Sequence, residues 1–300
     1  MAGKILIGTS DGLHELDGDP TTRLEGHEVG WLARDESGWW AVVDRQEVWS
    51  SEGPGEWRPA ASLSGLRVNC VLSTGDGPLV GTSEAHVYRL RGDALEPVRS
   101  FDETSERETW YTPWGGPPDV RSMSADTSGA VYANVHVGGV VRSSDRGETW
   151  EPTVDIHSDV HQVLFDAGSG LVLAASARGL GVSDDDGRSW RFDTGGLHAS
   201  YLRAVAVAGE TVLVSASTGP STDRAAVYRR PVGEAGPFDH CTEGLPEWFS
   251  ENVDTACLAA SGSRVALGTS DGSVYTSEDE GASWTLAAEG LSPVRCVALG

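Results

Sequence analysis

Cationic residues are scarce in this chain: 22 lysines and arginines stand against 45 acidic residues, for a formal net charge of −23. That balance argues against a nucleic-acid partner and against an anionic membrane surface, since both recruit surplus positive charge. It suits solubility, or a cationic partner. Long apolar runs are also missing, and none reaches the roughly 18 residues of a membrane-spanning helix. The opening MAGKILIGTSDG has no charged segment followed by a long apolar stretch, so no leader peptide is expected. The four cysteines are Cys70, Cys241, Cys257 and Cys296, with no CxxC spacing, which argues against a thiolate zinc site. They are expected to be small core residues of a reducing compartment, which makes the protein cytoplasmic. A phosphate-cradling glycine loop, a serine nucleophile elbow and an HExxH pair are absent too.

What the chain has is a repeat. The pattern S-x-D-x-G-x-[ST]-W occurs three times, at Ser143–Trp150, Ser183–Trp190 and Ser277–Trp284. Each copy follows alternating or small apolar residues broken by glycine, as in RVALGTSDGSVYTS, a cadence of strand, turn and strand. The aspartate accepts backbone N–H bonds, the glycine allows positive φ, and the tryptophan packs on a neighbouring sheet. An inner strand precedes each unit, over 29–35, 66–72, 120–126, 160–166, 202–208, 253–259 and 294–300. Their second residues are spaced by 37, 54, 40, 42, 51 and 41 residues, with 35 more round the termini. Units of about 40 residues with four strands predict an all-β, seven-bladed β-propeller. The first strands of the chain are expected to join the last one in a shared blade, leaving no exposed sheet edge. Residues 1–300 then form one propeller domain, with 100–119 as its longest insertion.

On these turns the chain resembles the Asp-box (BNR) repeat propellers, a group containing sialidases, sortilin-like domains and photosystem-assembly-type propellers. The resemblance implies the propeller and leaves the activity open, because enzymes and passive scaffolds share the turn. The sialidase-like reading fits poorly. There is no early F/Y-R-I-P motif, the first arginine is Arg23, and seven units are found rather than six. Arg121, Arg203 and Arg295 imitate an arginine triad and Tyr201 a nucleophile, but no glutamate is placed beside that tyrosine. Other glycosidase chemistry needs two facing carboxylates, for which Asp155, Asp159 and Asp254 are candidates.

In a propeller, turns alternate between two faces. Sorted in this way, the histidines and the long segments 100–119, 217–224 and 244–252 fall mostly on one face, called the top. The second positions of the inner strands, Arg67, Arg121, His161, Arg203, Asp254 and Arg295, are expected round the mouth of the central channel. There the arginines either form a funnel for a carboxylate, phosphate or acidic peptide, or bond neighbouring backbone carbonyls. His136, His157, His161 and His198 come from consecutive units. They are candidate ligands for zinc, copper or iron, or they supply a metal-free acid or base, or they are independent polar loop residues. His161 and Asp254 break the arginine rule of their repeat and lead the catalytic candidates, with His136 and Tyr201. Arg178 falls in the same sector. Trp110, Tyr111, Trp114, Trp248 and Phe249 either wall a pocket or pin long loops to the rim.

These features lead to a ligand-binding propeller, taken as a monomer, whose top-face channel mouth over blades 4 to 6 holds a small anionic molecule or peptide. The alternative is an enzyme using the same histidines, as a metal-dependent or acid–base lyase, isomerase or hydrolase. Neither a nucleic acid nor a membrane is expected as partner.

Overall fold

Seven four-stranded antiparallel sheets make up the protein, an all-β propeller in a computed structural model that describes residues 4–16, 21–35, 38–52, 55–112 and 114–300. Blade 1 is shared between the two ends of the chain. Its strand order is Val294–Leu299, Ile5–Thr9, Gly12–Leu16, Thr21–Arg23, with Ile5 opposite Leu299 and Leu6 opposite Ala298. The other inner strands are Val29–Arg34, Val68–Leu72, Val120–Ala125, Val160–Asp166, Tyr201–Ala208 and Leu258–Ser261. The described residues group into two compact units. The first holds Met1–Val29, Ala175–Val182 and Arg191–Gly300, and the second holds Gly30–Ala174 and Ser183–Trp190. No helix among the described residues is long and apolar enough to cross a membrane.

Six of the seven inner strands start within two residues of the sequence reading; blade 7 departs from it. Its strand starts at Leu258 because Asp254–Cys257 is a turn, closed by Cys257 N–H on the Asp254 carbonyl at 3.0 Å with Ala256 at φ 66°. Asp254 therefore sits in a turn, outside the ladder. The middle strands also carry more than simple alternation. Val131–Val135, Gly139–Ser143, Leu171–Ser176 and Thr211–Ser217 are buried along their whole length, as strands covered on both faces must be.

The S-x-D-x-G-x-[ST]-W turns have one geometry. In each, the buried serine Oγ donates to the aspartate (2.8, 2.8 and 2.7 Å) and accepts the glycine N–H (2.8, 2.8 and 2.9 Å). The aspartate also accepts the backbone N–H of Thr149, Ser189 or Ser283 at 2.8 to 2.9 Å, and the tryptophan Nε1 donates to the glycine carbonyl. The glycine has positive φ in every copy and faces the preceding blade. A Cβ on Gly187 would lie 3.1 Å from the Tyr132 ring, and one on Gly281 2.5 Å from Leu213 Cδ2. Glycine is required there on both counts.

A second recurring device joins inner segments. The carbonyl of an opening valine accepts a bond from a side chain of the preceding blade. Asn69 Nδ2 reaches Val120 at 3.2 Å, Asn134 Nδ2 reaches Val160 at 2.7 Å, and Ser215 Oγ reaches Val253 at 2.9 Å. Thiols do the same more weakly: Cys70 to Val120, Cys257 to Val294 and Cys296 to Val29, at 3.9, 3.8 and 3.5 Å. All four cysteines are free and buried. Burial pushes the Cys70 and Cys296 thiols up to about 12, which keeps them as S–H donors.

Two predictions follow from these bonds. Asn134→Ala leaves the Val160 carbonyl buried without its donor and is expected to cost about 1–3 kcal/mol, read as a lowered urea midpoint at unchanged m-value. The hydroxyl and backbone N–H of Ser189 hold Asp185 down to about 2, and those of Ser283 do the same for Asp279. The unfolded chain, with aspartates near 3.8, therefore takes up protons first. Their stabilisation is complete above about pH 3.8 and fades as pH falls toward about 2. In urea titrations, the stability gap between wild type and Asp185→Asn/Asp279→Asn is expected to narrow across that window.

Candidate functional site

His136, Asp159 and His161 come together in the second unit. His136 follows the strand Val131–Val135, and its N–H bonds the Asp119 carbonyl at 2.8 Å. His161 is the second residue of Val160–Asp166. Asp159 ends the short 3-10 turn Ile156–Ser158 in a left-handed conformation, φ 48°, which aspartate tolerates better than most residues. Asp159 Oδ1 lies 3.1 Å from His136 Nε2 and 3.6 Å from His161 Nε2. The ring centroids are 5.7 Å apart, and three ligand atoms, one from each residue, all lie within 4.8 Å of one another. His161 is fully enclosed and His136 is 3% exposed, while the Asp159 side chain keeps 29% of its surface. Burial pushes the His136 imidazole below its ordinary value, and the charge on Arg121 adds to this against the opposing pull of Asp159. Burial also opposes charge on Asp159, but its contacts with the two rings outweigh that and hold the carboxyl well below the usual range. At neutral pH the group presents a carboxylate and a neutral His136 ring, a donor set suited to a transition metal.

Trp114 stacks on His136, with centroids 5.2 Å apart and 30° between planes, yet remains 66% exposed. The two rings border a 490 Å³ pocket that Arg67, Ser83, Thr112 and Asp119 also line. The 100–119 insertion is anchored rather than loose. Phe101 is buried edge-on against Trp150 at 5.1 Å, and Arg107 donates to the Ala85 carbonyl at 2.6 Å while lying over Trp110. The insertion is thereby pinned by Phe101 and Trp110 and leaves Tyr111 and Trp114 exposed.

Most of the predicted arginines face a carboxylate of the protein itself. Arg203 is hydrogen-bonded to Asp254 and lies 5.6 Å from the Tyr201 ring. Arg295 is 3.5 Å from Glu28. Arg67 is 3.7 Å from Asp119, and its side chain is 59% exposed, the loosest of the three pairs. Arg178 lies over Phe192 at 4.6 Å. The remaining histidines are engaged apart from the His136 group. The exposed His157 donates its backbone N–H to Asp155, closing the turn that leads to Asp159. His198, in the first unit, contacts the Tyr228 hydroxyl at 2.9 Å and the Arg224 carbonyl at 3.1 Å. Trp248 packs on His198 and His240, and the Arg224 guanidinium covers its ring at 4.5 Å.

The sequence reading weighed Asp159 only as one of two facing carboxylates and missed it as the partner of two histidines. The signal was present: Asp159 precedes Val160 as Asp119 precedes Val120. At Asp159 that position puts the carboxylate 3.6 Å from His161, whereas Asp119 meets Arg67. Tyr228 and His240 were also missed: they are cross-strand partners on consecutive strands, and their rings stack at 4.8 Å.

No family model matches the chain, and no curated protein matches it. Among solved structures it is similar to an ancestral GH74 enzyme, with a TM-score of 0.63 and 15% identity over 92% of this chain. It is also similar to the extracellular domain of BT4673 from B. thetaiotaomicron, with a TM-score of 0.60 and 13% identity over 86% of this chain. The chain spans only 37% and 33% of the length of those two proteins. The WD40 repeats of RRP9 give a TM-score of 0.60 at 14% identity, over 90% of this chain and 83% of that one. At these identities the likeness is one of fold: the chain has the β-propeller architecture that these proteins share.

Proposed function

We propose that the chain is an Asp-box (BNR) propeller of the cytoplasm that binds a small anionic molecule or peptide in the Trp114–His136 pocket. The three identical serine–aspartate–glycine–tryptophan turns support the family reading, and the four buried free thiols support the compartment. One observation carries the binding reading: a mostly exposed indole, backed by a buried histidine, borders a 490 Å³ pocket. An aromatic face held open to solvent costs burial that a ligand recovers. Arg67 is the anion-binding group of this reading, because it lies 3.7 Å from Asp119 and its side chain is mostly exposed. An incoming carboxylate competes with Asp119 for it. Turnover is not part of the proposal. Both candidate bases, His136 and His161, are buried, and Tyr201 faces Arg203.

The test is calorimetric titration with a panel of small carboxylates and acidic peptides, each paired with its amide. A carboxylate ligand is expected to bind the wild type and to weaken at least about tenfold, about 1.4 kcal/mol, in both Trp114→Ala and Arg67→Met. Melting temperatures should stay close to wild type, since both side chains are largely exposed. Amides binding as tightly as acids, or ligands indifferent to both substitutions, contradict the reading.

A further inference from the structure

We infer that His136, Asp159 and His161 form a binding site for one divalent first-row transition ion. This goes beyond the pocket reading and does not depend on it. Three observations carry it. The first is the donor set. Two imidazoles and one carboxylate select transition ions over calcium and magnesium, which prefer all-oxygen shells.

The second is spacing. Bonds of about 2.0–2.2 Å to nitrogen and oxygen put neighbouring ligand atoms about 3.0 Å apart in an octahedral shell and about 3.4 Å apart in a tetrahedral one. The two edges from Asp159 Oδ1, at 3.1 and 3.6 Å, match that range, and the whole triad fits within 4.8 Å.

The third is how the carboxylate is used. Both ring nitrogens approach the same oxygen, Asp159 Oδ1, at 3.1 and 3.6 Å. His86 and Asp102, in the same unit, show a well-formed histidine–aspartate bond: Nδ1 to Oδ1 at 2.7 Å. At Asp159 two imidazoles share one oxygen, each at a longer distance than in that pair. A cation shared among them uses all three at once. The sequence candidates for a metal were His136, His157, His161 and His198. In the inferred site Asp159 takes the place of His157 and His198. Three protein ligands leave coordination positions open, and the part-exposed Asp159 gives them a route to solvent.

The probe is Co(II), followed by its visible absorption, and Zn(II), followed by elemental mass spectrometry of untagged, dialysed protein. Wild type is expected to bind one equivalent of either and to melt at a higher temperature with it. Asp159→Asn should weaken binding at least tenfold, and His161→Ala should abolish it. His157→Ala, His198→Ala and the pocket variant Trp114→Ala should bind as wild type does. Circular dichroism of each metal-free variant checks folding. If the buried His161→Ala does not fold, the part-exposed Asp159→Asn decides. Folded wild type that takes up neither ion overturns the inference. So does Asp159→Asn binding as tightly as wild type.

Discussion

The structure turns on a carbonyl. Where an inner segment opens, a valine presents its C=O to the preceding blade, and a buried backbone acceptor without a donor is costly. The preceding blade supplies the donor: an asparagine at Val120 and Val160, a serine at Val253, a thiol at Val29 and Val294. Each bond fixes where the next inner segment starts, and so the position of the residue after the valine. Those residues are Arg121, His161, Asp254, Arg295 and Gly30. The Asn134 bond does more. His136 lies two residues beyond Asn134, and Asp159 and His161 flank Val160, so one hydrogen bond of 2.7 Å holds together the segments that carry all three. The same chemistry that joins two blades assembles the His136 group.

The repeated turn organises the outer part of a blade in a complementary way. The serine hydroxyl is buried and satisfied on both sides, the aspartate collects exposed N–H and hydroxyl donors, and the tryptophan closes over the glycine carbonyl. Because the glycine faces a side chain of the preceding blade, the turn is an interlock as much as a connection. Where the S-x-D-x-G-x-[ST]-W pattern is missing, other devices appear. In blade 3 a Gly92-Asp93 hairpin links the outer strands, and the 99–119 segment buries Phe101 against Trp150 of the next blade.

These relationships explain what could be read from the sequence. The turn demands fixed residue types at fixed offsets, so three copies were enough to set the repeat and to place most of the inner strands. The blade shared between Ile5–Thr9 and Val294–Leu299 followed from the same spacing. Blade 7 misled because its segment keeps the apolar pattern while Ala256 turns left-handed and delays the strand. At the site, departure from the repeat singled out His161, and it does lie in the group that converges. Asp159 was legible only in part, since a carboxylate before a strand has no periodic signature. The arginines followed the repeat, but their charge balance did not: Asp119, Asp254 and Glu28 meet them from other segments of the chain.

A propeller built on short, repeated bonds can carry polar side chains at the starts of its inner strands with little penalty, and this chain uses that freedom unevenly. Three such positions are arginines met by carboxylates. One is a buried histidine, drawn by the Asn134 bond toward a second histidine and an aspartate, beneath an exposed tryptophan. The account's central claim is that this arrangement is a metal-binding triad. The most direct measurement is anomalous diffraction at the zinc edge from crystals grown with zinc ion. The account predicts one strong peak within bonding distance of His136, Asp159 and His161. A map with no peak there, or with its strongest peak on surface carboxylates elsewhere, would contradict it.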